Sequence, residues 1–149
     1  MNKKPSRRKR GKEKDVKKKN LTTKDDFEFL CNDFLRWVVR FGLTDWEILF
    51  IHKAIDSEAR VDLFHDDKIA HLTMATDWAD HEVTKESLAD TARHEAIHLC
   101  LAIMDHLCRY RYVTEKEIDR ACEDATRRLC TGIGSLIEEI RDEQSKKTH

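Results

Sequence analysis

Proline and glycine are scarce in this chain, with one Pro and four Gly in 149 residues. That excludes collagen-like and Pro/Gly-rich low-complexity architectures. It also leaves few positions at which a helix is forced to stop. Long apolar runs are missing too. The longest, Leu99 to Met104, spans six residues, whereas a membrane helix needs about 20. No membrane partner is therefore expected. The basic beginning of the sequence runs into further charge rather than an apolar segment, so no secretory signal is read. Five cysteines, an odd number without an export signal, suit reduced thiols and a cytoplasmic location.

Charge is abundant, at 38% of residues, yet the net charge is only −1. The balance hides an asymmetry. Residues 1–19 hold eleven Lys/Arg against two Asp/Glu, whereas the remainder holds seventeen against twenty-seven. A stretch of that composition cannot bury apolar surface, so residues 1–20 are expected to be a disordered basic tail. Two roles stay open for it: a solvated tail, or an electrostatic arm for nucleic acid or another polyanion. Residues 21–141 are expected to form one domain, followed by a polar C-terminal tail over 142–149.

Within the domain, Thr22 or Thr23 caps a helix that begins with Asp25 and Asp26. Its apolar stripe runs Phe27, Leu30, Phe34, Trp37, Val38, Phe41, and Gly42 is a natural stop. Residues 44–53 alternate in the manner of a strand. Two further strands, Arg60–Phe64 and Ile69–Trp78, form a hairpin across His65-Asp66-Asp67-Lys68. After Tyr112, Thr114 and Glu117 form a capping box for a second long helix, and Gly132 and Gly134 predict a bend or break midway.

Between the sheet and that last helix lies Thr91-Ala92-Arg93-His94-Glu95-Ala96-Ile97-His98, which contains H-E-x-x-H. Leu88, Ala92, Ala96, Leu99, Ile103 and Leu107 place it on one amphipathic helix, with Thr84 as its cap. Residues four apart stand one turn above each other, so His94 and His98 can offer two imidazoles to one Zn2+ ion. Glu95 lies about 100° round the helix. There it is suited to deprotonating a zinc-bound water as a general base.

Helix, short sheet, H-E-x-x-H helix and downstream acidic helix together resemble the minimal gluzincin-type zinc metallopeptidases. The resemblance is closest to the compact metallopeptidase-like proteins of phage and prophage genomes. It covers roughly residues 25–131 and rests on His94–His98 and on Glu123-Asp124-Ala125-Thr126-Arg127-Arg128-Leu129. It implies an α+β, zincin-like fold built from an N-terminal helix, a three-stranded sheet, the H-E-x-x-H helix and a long helix. It also implies a zinc-dependent hydrolase acting on a peptide or protein, with Glu123 as third zinc ligand. The residues themselves leave several carboxylates on the downstream helix. Glu117 is used by the capping box and Glu115 shares its turn, whereas Asp119 and Glu123 share a face, Asp119 being suited to a supporting role. A metzincin would need its third ligand at Met104, and Cys100 and Cys108 lie about 12 Å apart along a helix, too far for chelation.

The strand ending at Trp78 is expected to be an edge strand that pairs with an extended substrate. A reading of another class also stands: a non-catalytic nucleic-acid- or partner-binding module in which zinc only braces two helices. Oligomeric state is not legible.

Overall fold

The computed structural model describes residues 20–147. The basic tail therefore lies outside the described residues, except Asn20. That residue is a correction to the expected boundary: it is buried, and its carbonyl accepts from the Trp78 amide at 2.9 Å.

Thr23 opens α1 (Lys24–Arg40). Its hydroxyl accepts from the Asp26 amide while the Asp26 carboxylate accepts from the Thr23 amide. This reciprocal pair satisfies donors that a first turn leaves unpaired. Leu30, Phe34 and Val38 are buried at helical spacing. At the other end Gly42 takes φ +63°, a conformation that costs a side chain and suits glycine. The Leu43 amide then reaches the Val38 carbonyl and the Gly42 amide reaches Val39, which closes a Schellman motif.

Three strands follow: β1 (Glu47–His52), β2 (Ala59–Phe64) and β3 (Ile69–Met74), in the order β1-β3-β2. β2 and β3 form the expected antiparallel hairpin, and β1 runs parallel to β3. Side chains alternate across the sheet, so partners in register share a face. Ile48, Ala70 and Leu63 make one row, and Phe50, Leu72 and Val61 the next. All six join the core with α1. One expectation is corrected here. β3 lies in the centre of the sheet and stops at Met74, so it is not an edge available to substrate. The hairpin puts β2 on the outside instead.

Thr84 and Ser87 form the capping box of α2 (Lys85–Cys100). Leu88, Ala92, Ala96 and Leu99 are buried against α1 and the sheet. The stripe was expected to continue unbroken to Leu107. Instead α2 ends at Cys100, Leu101 turns the chain at φ −90° and ψ 7°, and α3 (Ala102–Cys108) begins. Ile103 and Leu107 then line a small cavity with Ala121 of α4 (Glu115–Lys147). Packing between helices decides this break, which no local helix breaker announces.

α4 carries its predicted cap: Thr114 and Glu117 bond reciprocally. Of the bend or break expected at Gly132 and Gly134, the break does not occur. α4 is one helix of 33 residues, and residues 142–147, expected as tail, continue it. Gly132 allows a close approach, because a Cβ there would lie 2.4 Å from the Phe41 ring of α1. No helix among the described residues is long and apolar enough to cross a membrane.

Candidate functional site

α2 presents the H-E-x-x-H residues in two different environments. The helix buries its Ala92–Ala96–Leu99 side in the core. His94 and His98, one turn apart, project from the solvent side. Their Nε2 atoms lie 3.0 Å apart, with ring centroids 4.7 Å apart. Two imidazole nitrogens bound to one tetrahedral zinc at 2.0–2.1 Å would stand about 3.3 Å apart. The pair thus fits a chelating edge with little adjustment.

Glu95 lies between the two environments. It is only 7% exposed, and its Oε2 accepts from the Val61 amide of β2 at 2.8 Å. A buried carboxylate needs such a donor. The bond also fixes where the carboxylate points and ties α2 to the sheet. Because successive strand amides point in opposite directions, the Val61 N–H faces away from β3 and towards α2.

Two cavities meet at this helix. One, of about 1120 Å³, is bounded by β2, His94, Glu95, His98 and α3. The other, of about 680 Å³, shares His94 and Glu95 and extends over the loops that follow β1 and β3. Glu95 therefore lies where the two cavities adjoin, and the outer strand β2 walls the larger of them.

The expected third ligand is not brought to this cleft. Glu123 lies on α4, 70% exposed, 3.6 Å from Arg127, and no residue of α4 lines either cavity. Asp119 is exposed as well. Among the described residues, no group of three His, Cys, Asp or Glu side chains is placed to hold a metal ion. The two histidines thus stand together without a third such side chain, and the downstream carboxylates stand apart from them.

Sequence reasoning missed a second histidine pair in the larger cavity. His65, just after β2, and His106 of α3 have ring centroids 4.4 Å apart. Burial holds the His65 imidazole below its usual pKa, and the nearby His106 charge adds to the effect. No spacing rule connects a hairpin turn to a helix 41 positions later, so no local signal could have found the pair. Also missed was the acidic wall of the smaller cavity. The surplus of Asp and Glu after residue 19 was a signal for it, though not for its location.

Comparison of this chain with family models, with curated protein sequences and with solved structures gives no match.

Proposed function

We propose that this protein is a zinc-dependent hydrolase of the zincin type, and most specifically a small metallopeptidase. The observation that carries the reading is the pairing of two solvent-facing imidazoles at 3.0 Å with a buried, oriented carboxylate on the same helix. A pair of exposed histidines alone would suit a brace. A carboxylate buried beside them and aimed into a cleft suits proton transfer.

In this reading His94 and His98 hold the metal. Zinc, when bound, supplies Lewis-acid polarisation of a carbonyl and lowers the pKa of water towards ~7. The chain's own residues do the rest. Glu95 accepts a proton through the carboxylate oxygen not engaged by Val61 and passes it to the leaving amine. β2 offers the outer main-chain groups other than the Val61 amide, which Glu95 occupies, to an extended peptide whose backbone they would hold by hydrogen bonds. Glu123, the third ligand implied by the family resemblance, reaches the site only if α4 turns its outer face inwards.

The test is metal analysis of wild type, His98→Ala and Glu95→Gln, together with cleavage of a broad peptide library. The expected result is close to one zinc per chain in wild type and in Glu95→Gln, with loss in His98→Ala. Cleavage is expected in wild type only. Zinc retained without either histidine overturns the site. Zinc that is bound while no peptide is cleaved, and whose removal unfolds the chain, overturns the enzyme in favour of a structural brace.

A further inference from the structure

α4 carries an apolar face that its own fold leaves open. Ala121, Ala125 and Gly132 turn towards the body of the protein and are buried. About a quarter turn round the helix, Ile133, Leu136, Ile137 and Ile140 stand between 37% and 57% exposed. Single exposed apolar residues are ordinary on a protein surface, whereas four on neighbouring turns make one contiguous stripe. Around them the helix is strongly charged: Glu138, Glu139, Arg141, Asp142 and Glu143 fall in the same stretch. Leu129, half-buried against the core, continues the stripe towards the start of the helix.

A second observation says what covers it. Glu123 and Arg141 are eighteen positions apart, about five full turns, so they share one azimuth on the flank of the stripe that faces away from the body. Both are exposed. Glu123 lies 3.6 Å from Arg127, a loose pair, and Arg141 makes no ion pair among the described residues. Ile133 stands next to their midpoint. A two-fold axis there lays α4 antiparallel on α4 of a second copy and puts Glu123 against the partner's Arg141 at each end. Between the two charge pairs Ile133 meets the partner's Ile133, and Leu136 meets the partner's Leu129. A parallel pair would instead set Glu123 beside the partner's Glu123, like charge on like. A helix that carries both members of a charge pair at positions exchanged by a two-fold is complementary to itself.

We propose that α4 is a self-association surface, through which two copies of this chain pair antiparallel over about 27 Å, from Glu123 to Arg141. The pairing uses no metal chemistry and stands apart from the hydrolase reading. A contact of one helix on another falls at the small end of specific interfaces, so the pair should dissociate in the micromolar range.

Sedimentation equilibrium on the full-length chain tests this, with a chelator present so that Glu123 cannot act through zinc. The mass is expected to rise from one chain towards two as concentration increases. Ile133→Gln/Ile140→Gln should weaken association by at least ~10-fold, while thermal melts of the dilute, monomeric chain stay close to wild type. Arg141→Glu sets two acidic pairs across the interface and should weaken association by about 10-fold, less at high salt. Glu123→Arg/Arg141→Glu exchanges the partners and should restore association to within about threefold of wild type. A chain that is monomeric at every concentration overturns the proposal and leaves the stripe to a different protein. Association that ignores the isoleucine substitutions places the interface elsewhere and overturns it equally. A charge exchange that associates as weakly as Arg141→Glu alone refutes the antiparallel arrangement. Because Glu123 and Arg141 are exposed, the charge variants keep the test decisive even if the isoleucine variant fails to fold.

Discussion

Glu95 is the residue on which most consequences converge. Glu95→Gln keeps a side-chain oxygen to accept from the Val61 amide but removes the base, so fold and zinc content should match wild type. Peptide hydrolysis should fall by at least ~10², a drop read directly from single-substrate kinetics. Glu95→Ala differs in one further respect, because it leaves the Val61 N–H without its acceptor. Hydrogen exchange should then speed up at Val61 while the amides bonded to β3 stay protected; equal protection in both variants would deny the bond. His65 gives a pH dependence. Its pKa is depressed in the fold by burial and by His106, with Asp105 and Asp66 opposing and Arg109 adding to the depression. As pH falls below about 6.5, the unfolded chain takes up this proton first. Stability should therefore be intact above that value and decline towards the depressed pKa. In His65→Gln the gap in melting temperature between about pH 7.5 and about pH 5.5 should shrink; an unchanged gap counts against this source.

Among the helices, α4 offers the sharpest pair of substitutions. Gly132→Ala drives a methyl group into the Phe41 ring, 2.4 Å away, and should destabilise by about 1–3 kcal/mol, as overpacked sites do. Two residues on, Gly134 has nothing within 4 Å of its added Cβ, and Gly134→Ala should stabilise by about 0.5–1 kcal/mol through helix propensity. Thermal melts of the two variants should move in opposite directions. These positions also mark the limit of what the sequence discloses. The caps at Thr84 and Thr114 were legible, and that of α1 was narrowed to Thr22 or Thr23, because each bond is local, three residues in reach. The hairpin was legible from its polar link, and β1 from its alternation. Gly132 was read as a breaker because composition does not reveal which ring a glycine faces. The end of α2 at Leu101 and the turn of Glu123 away from His94 were hidden for the same reason: both depend on how one helix settles on another. Zinc titration addresses that last point. His98→Ala should abolish binding, and with Glu123 where it stands, Glu123→Ala should leave affinity within about twofold. A loss of ~10-fold or more would show that α4 rotates towards α2 when metal arrives.

For the whole molecule, the order in which the sheet is wired has a kinetic consequence. The β2–β3 hairpin joins residues no more than fifteen apart, from Ala59 with Met74 down to Phe64 with Ile69. The parallel partnership of β1 and β3 spans twenty-two, as between Glu47 and Ile69. Closing a longer loop costs more entropy before any contact rewards it. The hairpin is thus the natural early event, and β1 must find the inner side of a strand already paired. Longest of the backbone pairings is the strap from Asn20 to Thr22 onto Thr76 to Trp78, separated by more than fifty positions and held by the Thr22–Thr76 and Trp78–Asn20 bonds. Substitutions in the strap should accelerate unfolding with little effect on the folding rate, a low-φ signature. Thr22→Ala, which removes the hydroxyl bonds to Ala75 and His52, tests this in a chevron plot. Of these backbone pairings, the one beside the acidic cavity is then the last to be completed, and the segment that completes it is the one to which the basic residues are attached.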